Sequence, residues 1–501
     1  MDKLSELLWE NIPSDNLIYK GSTNIEETGL DDLPIDLIDE LRISRDDNYD
    51  IKVSCTRNIN LLNNITSSKN FKKKKKYISG ETVSPGEIIL RPYGGASTIL
   101  FAPCYYHGYV SSLNKTEYQL SCYHVECRYS IKPASVLKEW ILNGGQGGLR
   151  FCVNRNYKYT MESTVYGTYG DWEFPVKEAF EEKETIGGFT HFVFKDTAFD
   201  VHYVGNEYGP KWSENLSISY YEKYGRIPDE KERKIIRDYL SFIVGTKFLL
   251  IGNSTYDDNG NQIGFVMESP QTYSFEIERI CKNAATPPFN DRIEPLQTYF
   301  DIVQKYIEPF ADLYEQLDFD ALFGSYWYAK SIAKPYDLPI LSGALEYLMK
   351  RWYEKVELNP ETVLMDKKEF KKRTKIVKEV VEEQFNDTEY AERMLRTVEG
   401  MNRMSINEKT KHFFDKIGIP VGKEEEKALQ ARNLSAHGSF RSMENDYIEQ
   451  FRMSKIYECI IVRTVLILLG YDGKYIDYGT LGLPEKDIRE PSGETEDQKK
   501  E

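Results

Sequence analysis

Three residues near the end of the chain have side chains that can act together on a phosphate ester: Arg432, Asn433 and His437. An imidazole with an ordinary pKa of about 6.5 can accept or donate a proton at neutral pH, and a guanidinium can hold two phosphate oxygens at once. In RNA cleavage, the ribose 2′-OH must lose a proton when it attacks its own phosphate, and the leaving 5′-oxygen must gain one. The three residue types therefore suit cleavage of RNA without a metal. Arg432 and His437 are the candidate catalytic residues, and Asn433 is the polar group that can orient the imidazole or the phosphate.

The spacing of these residues places them at the end of a helix. Arg432 and His437 are five positions apart, so an unbroken helix would hold them about 140° apart rather than on one face. Gly438 follows directly, and glycine just beyond the last helical residue is the usual left-handed cap. We therefore expect His437 to lie at a helix end, where it can turn toward Arg432. One chain supplies one imidazole although the reaction needs a base and an acid, which predicts a homodimer or a higher homo-oligomer.

The pattern alone is weakly specific. An arginine followed by a histidine at this distance is expected about once in a chain of this composition. A surface arginine beside a histidine that caps a helix would give the same residues without any chemistry. Two features of the context favour the catalytic interpretation: Asn433 directly follows the arginine, and a long apolar helix is predicted after the motif.

The residues in this half of the chain resemble a known family. The motif formed by Arg432, Asn433 and His437, between two predicted helices, resembles the motif of the HEPN ribonucleases. The predicted helix that contains Ala344 to Leu348 resembles the first helix of ApeA-type HEPN domains. By this resemblance, the arginine and the histidine would be catalytic and the asparagine would assist them.

The first half of the chain resembles the N-terminal domain of the ApeA proteins, over Leu240 to Ile251 and over Tyr256 to Gly260. The resemblance covers most of the chain and implies a bacterial anti-phage abortive-infection protein. In such a protein the N-terminal half senses infection and a dimer of the helical half cleaves RNA. The resemblance also implies an RNA substrate, with tRNA among the candidates, a phage-derived protein as the trigger, and catalysis without a cofactor.

A second group of residues could bind a metal. Cys104, His107, Cys122, His124 and Cys127 place five potential ligands within 24 residues, which is enough for a tetrahedral structural zinc site. The alternative is that these are ordinary core residues, because the second segment alternates like a strand and cysteine is commonly a small buried residue. The spacing fits no zinc pattern that we recognise, which favours the second interpretation.

The first half of the chain is predicted to be rich in antiparallel strands. From Glu87 to Phe275, short runs of β-branched and aromatic residues alternate with clusters of Gly, Asn and Asp. Asp258-Asn259-Gly260 lies between two such runs and predicts a hairpin, because Asn-Gly tolerates positive φ at both turn positions. One helix is predicted to interrupt the strands, from Asp229 to Phe242.

The spacing of apolar residues changes at Pro287-Pro288, and the periodicity of helices follows almost to the end of the sequence. Helices are predicted over Asp366–Gln384, over Thr388–Met404 and over Lys423–His437. Two more helices are predicted from apolar residues at steps of three and four, which mark one buried face on each. These residues are Leu341, Leu345, Leu348, Trp352 and Val356 on the first, and Met453, Ile456, Tyr457, Ile460, Thr464, Ile467 and Leu468 on the second. We therefore predict an α+β fold. Its parts are a β-rich sensor domain at 1–283, a helical connector at 284–334, a HEPN-type helical domain at 335–490 and a disordered tail at 491–501.

Composition excludes several classes of protein. The 501 residues include 65 Lys and Arg against 80 Asp and Glu, and the formal charge of −15 argues against a nucleic-acid clamp that is basic overall. Residues 331–501 carry about −3 of this charge, so the helical half remains compatible with RNA. Seven cysteines are too few for a disulfide scaffold, and no apolar run reaches the roughly 18 residues of a membrane span. We expect a cytoplasmic protein with no membrane partner.

Two functions from different classes remain open. The first is a metal-independent endoribonuclease that becomes active when the N-terminal half detects infection. The second is a non-catalytic dimeric protein, in which a silent HEPN-like domain binds a nucleotide or mediates regulatory interactions. The joint presence of Arg432, Asn433 and His437 favours the enzyme, because a silent module need retain none of them.

Overall fold

The computed structural model of the protein describes most of the chain. The described residues are 16–28, 38–46, 49–58, 86–92, 98–112, 115–128, 130–144, 155–169, 172–186, 189–204, 215–270, 277, 279–280, 284–290, 296–334, 336–356, 363–386, 390–436 and 443–494. Within these ranges no helix combines the length and the apolar character needed to cross a membrane.

The fold is α+β, as predicted, and its first half is built from antiparallel strands. The strands are β1 (Asn16–Thr28), β2 (Ile38–Arg45), β3 (Ile51–Asn58), β4 (Gly86–Pro92), β5 (Thr98–Ser111), β6 (Lys115–Cys122), β7 (His124–Arg128), β8 (Val136–Ile141), β9 (Arg155–Tyr169), β10 (Trp172–Ile186), β11 (Phe189–Phe194), β12 (Thr197–Val204), β13 (Asn215–Tyr221), β14 (Leu250–Tyr256) and β15 (Gln262–Glu268). Three of them, β1 to β3, precede the stretch in which strands were predicted. In β3 the buried residues Ile51, Val53 and Cys55 alternate with polar ones, so the run is too polar overall to stand out by composition.

Thirteen of the described strands form one sheet in the order β11-β12-β13-β8-β14-β15-β7-β5-β4-β1-β2-β3-β6. Strand β5 also pairs with β6, so β1 to β6 form a closed circuit of pairings. Strands β6 and β7 are separated by Tyr123 but keep one register along β5, because Cys122 lies opposite Cys104 and Val125 lies opposite Phe101. Strands β9 and β10 pair with each other as a long hairpin.

The predicted helix in the first half is confirmed as α1 (Glu230–Val244), and local chemistry sets both of its ends. The Asp229 side chain accepts a hydrogen bond from the backbone N–H of Glu232 at 2.9 Å, and the Glu232 carboxylate accepts one from the backbone N–H of Asp229 at 3.3 Å. This reciprocal pair is a capping box. At the other end, Gly245 has φ of 75°, the left-handed conformation that ends helices.

A buried carboxylate on the sheet holds α1 in place. Glu139 of β8 is fully buried and accepts hydrogen bonds from Arg233 at 2.9 Å, from Arg237 and from the Tyr220 hydroxyl at 3.2 Å. Burial raises the pKa of Tyr220 well above its ordinary value, so the hydroxyl remains a donor. Both arginines lie on α1, one turn apart, and their charge is satisfied by a residue from the strand beneath them.

The second half is helical, as predicted, apart from a short hairpin near its end. The helices are α2 (Leu296–Gln316), α3 (Phe319–Ser331), α4 (Leu338–Lys355), α5 (Lys367–Phe385), α6 (Ala391–Gly400), α7 (Ile406–Ile417), α8 (Lys423–Ala436) and α9 (Met443–Leu468), and the hairpin strands are β16 (Lys474–Ile476) and β17 (Glu485–Asp487). The chain divides into two compact units, the first formed by residues 1–287 and 291–304 and the second by residues 288–290 and 305–501. We call them the β-rich unit and the helical unit.

The core of the helical unit is formed by α4, α8 and α9 packed on one another, with α3 against α4. On α4, the residues Leu341, Leu345, Leu348 and Trp352 are buried, as their spacing predicts. Val356, assigned to the same face, is 44% exposed because α4 ends one residue before it. On α9 the predicted apolar face is confirmed over its central turns. Its buried residues include Met453, Ile456, Tyr457, Ile460 and Thr464.

The prediction of a disordered tail at 491–501 is wrong for residues 491–494. Ser492 is fully buried, its backbone N–H donates to Glu425 at 2.9 Å, and its hydroxyl donates to Asp477 at 2.5 Å. Gly493 donates a backbone hydrogen bond to the same aspartate at 2.9 Å. The composition of this segment is polar, but its polar groups are used inside the fold. Residues 495–501 lie outside the described residues.

Candidate functional site

The HEPN-like motif lies where α8 ends. Helix α8 ends at Ala436, so the backbones of Arg432 and Asn433 belong to its final five residues, and His437 follows the last helical residue directly. The side chains of Arg432 and Asn433, and the whole of His437, lie outside the described residues. The predicted helix at Lys423–His437 is confirmed to within one residue.

The first turn of α8 is anchored in the core. Glu425 and its partner Arg463 of α9 are both fully buried and hydrogen bonded to each other. Arg463 also donates to the backbone carbonyls of Ile488 at 3.0 Å and Pro420 at 3.4 Å. Burial raises the pKa of Glu425, against the attraction of the guanidinium. Breaking this pair would leave an uncompensated charge in the core, so the pair holds α8 and α9 together firmly.

A second buried carboxylate ties the chain end to the same helices. Asp477 follows β16, and it accepts hydrogen bonds from Thr480 at 2.6 Å and Gly479 at 2.9 Å besides those from the tail. The Lys486 ammonium lies 2.7 Å from the same carboxylate. Burial opposes ionisation of Asp477, but the hydrogen bonds from Lys486, Ser492 and Thr480 hold its pKa below the ordinary value. Both oxygens of Asp477 are therefore occupied by hydrogen bonds within the fold, and the carboxylate has a structural role.

The other side of α9 is held by a lysine and two carboxylates, which we call the Lys334 cluster. The Lys334 ammonium donates to Asp337 and to Glu458 of α9, each at 2.5 Å. The Ser454 hydroxyl donates to the same oxygen of Asp337, and Lys455 lies 3.0 Å from Glu458. These contacts join the start of α4 to the middle of α9.

The pKa values of Glu458 and of the neighbouring Lys330 are both lowered, for different reasons. Burial opposes ionisation of Glu458, but the ammonium groups of Lys455, Lys334 and Lys330 lower its pKa to about 2. Burial lowers the pKa of Lys330 to about 7, although Glu458 opposes that shift. The Lys330 ammonium lies 5.1 Å from the centre of the Trp327 ring. Glu458 is therefore charged at neutral pH, whereas Lys330 is close to half protonated.

These contacts fix the two helices that flank the motif. Helix α8 is held through Glu425 near its start, and α9 is held through Glu458 and Arg463 in its middle and later turns. Residues 437–442 connect the two helices. The structure thus anchors the first turn of α8 and the middle and later turns of α9, the two helices between which the motif lies in the sequence.

The cysteines and histidines of the predicted metal group lie in strands β5, β6 and β7 of the β-rich unit. Cys122 and Cys127 are each 2% exposed, and they are five residues apart, so a regular strand would project them from opposite faces. Strand pairing places Cys104 opposite Cys122, and the register of β5 shifts at His107, between Tyr106 and Gly108. The side chains of Cys104 and His107 lie outside the described residues.

His124 already has a carboxylate partner. Its Nδ1 lies 2.7 Å from Oε1 of Glu268 in the neighbouring strand β15. The hydrogen bond that the imidazole donates to Glu268 raises the pKa of His124, against the effect of burial. Across the part of the chain that the structure describes, no three His, Cys, Asp or Glu residues converge in a way that could hold a metal ion. Because the side chains of Cys104 and His107 lie outside the described residues, the zinc site stays a prediction, and so does the alternative of ordinary core residues.

The sequence did not predict the fully buried ion pair of the helical unit, Glu425 with Arg463. Arg463 was visible only as the one charge in the apolar run Cys459 to Leu469, and Glu425 only as one of three successive glutamates. A charged residue that interrupts an apolar helical face is a usable signal of a buried ion pair. The partner, however, comes from a distant segment and has no local signature.

Comparisons of the chain with models of protein families, with curated proteins and with solved structures find no match. The assignment of function therefore rests on the residues of this chain and on their positions in its own fold.

Proposed function

We propose that the protein is a metal-independent endoribonuclease of the HEPN type. The observation that carries the proposal is the position of the motif: α8 ends at Ala436, with Arg432 and Asn433 in its final residues and His437 immediately after it. A flanking helix that is anchored by buried ion pairs supports this position. Arg432, Asn433 and His437 supply a phosphate-binding cation, a polar orienting group and a proton carrier.

The proposed chemistry follows from these residue types. His437 takes the proton of the ribose 2′-OH, and the oxygen attacks the adjacent phosphorus to form a 2′,3′-cyclic phosphate. Arg432 binds the non-bridging oxygens, whose negative charge grows in the transition state, and Asn433 orients the imidazole or the phosphate. The leaving 5′-oxygen receives a proton from a second imidazole, which we assign to His437 of a second copy of the chain.

The biological part of the proposal is defence against phage. The β-rich unit would recognise a phage-derived protein, and the helical unit would then cleave cellular RNA, with tRNA as one candidate substrate. This part rests on the resemblance of Leu240 to Ile251 and of Tyr256 to Gly260 to the ApeA N-terminal domain. The alternative is a silent helical domain that binds a ligand without chemistry, which the retained motif disfavours.

One experiment tests both the ribonuclease activity and the role of Arg432 in it. The intact protein and Arg432→Ala are expressed in bacteria with and without phage, and total RNA is examined for fragments and for their end groups. We expect fragments with 2′,3′-cyclic phosphate and 5′-hydroxyl ends that require both phage and Arg432, and extracts of the infected cells that contain the protein should form the same ends in the presence of EDTA. Fragments with 5′-phosphate ends, or cleavage only after metal is added, would refute the mechanism.

A further inference from the structure

The first half of helix α5 carries the densest group of positive charge among the described residues. Seven of the twelve residues from Lys367 to Lys378 are Lys or Arg, and one is Glu. The remaining residues of the helix, from Glu379 to Phe385, include three Glu and no cation. In a chain with a formal charge of −15, this is a sharply localised basic patch.

Four of these lysines are exposed and form no ion pair in the part of the chain that the structure describes. They are Lys367, Lys368, Lys371 and Lys372, which we call the lysine stripe. Lys371 also has a longer-range electrostatic attraction to Glu399, which is ion-paired with Lys378. The neighbouring cations differ in this respect, since each has a carboxylate partner. These pairs are Arg373–Glu369 at 2.5 Å, Lys375–Glu379 at 3.7 Å and Lys378–Glu399 at 2.6 Å.

The stripe has the geometry of a surface that follows a phosphate backbone. At 100° per residue, its four lysines lie within about 140° of arc on one flank of α5, and Lys375 continues the flank to a length of about 12 Å. A nucleic-acid strand in a duplex carries one charge per roughly 3.4 Å, so this length matches three or four phosphates.

Helix stability does not explain the stripe. The N-terminal end of a helix carries a partial positive charge, so lysines in the first turn destabilise it by about 0.3–1 kcal/mol each. Lys367 and Lys368 occupy that turn, and the Asp366 cap and Glu369 offset them only in part. Two of the four lysines are thus placed against the helix dipole, and a bound anion would compensate their charge.

We propose that the lysine stripe of α5 binds the phosphate backbone of RNA and recruits the strand that the helical unit cleaves. This inference rests on the proposed function, because it assigns a docking surface to the same substrate. The acidic remainder of the protein repels RNA, so a local basic surface in the unit that bears the motif gives the substrate one favoured approach.

The apolar residues of α5 argue against a membrane surface as the occupant. Ile376, Val377 and Val380 are 69%, 45% and 50% exposed, and they lie on a flank whose centre is about 150° from that of the lysine stripe. In a helix that lies on a membrane, the cations flank the apolar face so that both contact the lipid. On α5, insertion of the apolar flank would turn the stripe away from the headgroups.

The test measures binding separately from cleavage. The probe is a fluorescent single-stranded RNA whose 2′-OH groups are all methylated, so that it cannot undergo 2′-OH attack. The full-length protein is compared with a variant in which Lys367, Lys368, Lys371 and Lys372 are replaced by Gln. The matched control replaces four equally exposed lysines of the same unit by Gln: Lys350, Lys355, Lys411 and Lys416.

We expect the stripe variant to bind the probe about 10-fold more weakly or worse, and the control variant to stay within about twofold of the parent. The slope of log K against log salt concentration should fall by about three, since four phosphate contacts contribute about 0.7 each on single strands. Unchanged affinity of the stripe variant, or an equal loss in the control, would overturn the inference. Lysine-dependent binding to vesicles of phosphatidylcholine and phosphatidylserine, with no binding to RNA, would also overturn it in favour of a membrane.

Cleavage of unmodified RNA distinguishes this inference from the proposed function. Cleavage that depends on Arg432 but is unaffected in the stripe variant would overturn the docking surface and leave the enzyme intact. Lysine-dependent binding without Arg432-dependent cleavage would support the surface and refute the ribonuclease. Circular dichroism and a thermal melt of each variant confirm that the protein remains folded.

Discussion

The two groups of residues that could carry chemistry differ in how their surroundings use them. In the β-rich unit, Cys122 and Cys127 are buried and His124 is hydrogen bonded to Glu268. In the helical unit, the motif lies at the last residues of α8, while the buried ion pairs that position this helix are made by other residues. Residue type alone suggested chemistry at both places. The difference shows that residue type does not reveal which polar groups the fold uses, because His124 is hydrogen bonded to Glu268 whereas α8 is anchored by Glu425, outside the motif.

The largest expected effect is on the motif itself. In His437→Ala, RNA cleavage should fall by about 10²–10⁴-fold, because the variant lacks the proton carrier. The melting temperature should stay within about 2 °C, because a residue beyond a helix end contributes little to a core. The checks are a cleavage assay and a thermal melt. A decrease in melting temperature of many degrees would instead assign His437 a structural role.

The next effect is on stability, and it is expected to differ between two neighbouring lysines, Lys334 and Lys330. Lys334→Met should lower the free energy of unfolding by about 3 kcal/mol, because it leaves Asp337 and Glu458 buried without their shared cation. Lys330→Met serves as the matched control and should be neutral or stabilising, because burial already disfavours the charged form of Lys330. Urea unfolding of both variants measures the difference.

The sign of the pH dependence sharpens this test. The pKa of Lys330 is about 7 in the folded protein, below its unfolded value of about 10.4, so folding is penalised fully below pH 7 and the penalty disappears as the pH rises toward 10.4. The stabilisation by Lys330→Met should therefore be larger at pH 6 than at pH 9.5. Equal stabilisation at both pH values would mean that packing, not charge, is responsible.

A smaller effect tests whether two copies share one site. When His437→Ala chains are mixed with wild-type chains and allowed to exchange, the remaining activity should be lower than the wild-type fraction of the mixture, because each mixed pair has lost one of its two proton carriers. The readout is the cleavage rate as a function of the mixing ratio. A strictly proportional decrease, or full activity of a monomer by mass measurement, would show that each chain acts alone.

In the β-rich unit, replacing the candidate metal ligand His124 by Gln should have a modest effect on stability. The Glu268 hydrogen bond raises the pKa of His124, so its contribution to stability is complete below an unfolded pKa of about 6.5 and is lost as the pH rises through the folded pKa. His124→Gln should therefore reduce stability more at pH 5.5 than at pH 8.5, by less than about 1 kcal/mol because the pair is partly exposed. Urea unfolding at the two pH values provides the measurement.

The smallest expected effect is that of metal removal. If Cys104, His107, Cys122, His124 and Cys127 are core residues, EDTA should leave the melting temperature of the protein unchanged. A structural zinc ion would instead couple folding to metal, and chelation would lower the melting temperature by many degrees. Elemental analysis of the purified protein gives an independent answer.

The sequence by itself determined the elements whose signals are local. The capping box of Asp229 and the glycine at 245 define α1, and the turn at Asp258 to Gly260 joins β14 to β15 through hydrogen bonds to Asp257. Apolar spacing located the buried faces of α4 and α9. In each case the deciding interactions join residues within a few positions of one another, so the sequence pattern contains them.

Only the tertiary structure decided which polar groups are buried and with what partner. Glu425 meets Arg463 across 38 positions, and Lys334 meets Glu458 across 124. The polar residues around Ser492 join the core because Asp477 accepts their hydrogen bonds. The cost of burying a charge depends on whether a counter-charge arrives with it, and that counter-charge comes from wherever the fold brings it. Local sequence rules can mark one member of such a pair, such as Arg463 in its apolar run, but they do not identify its partner.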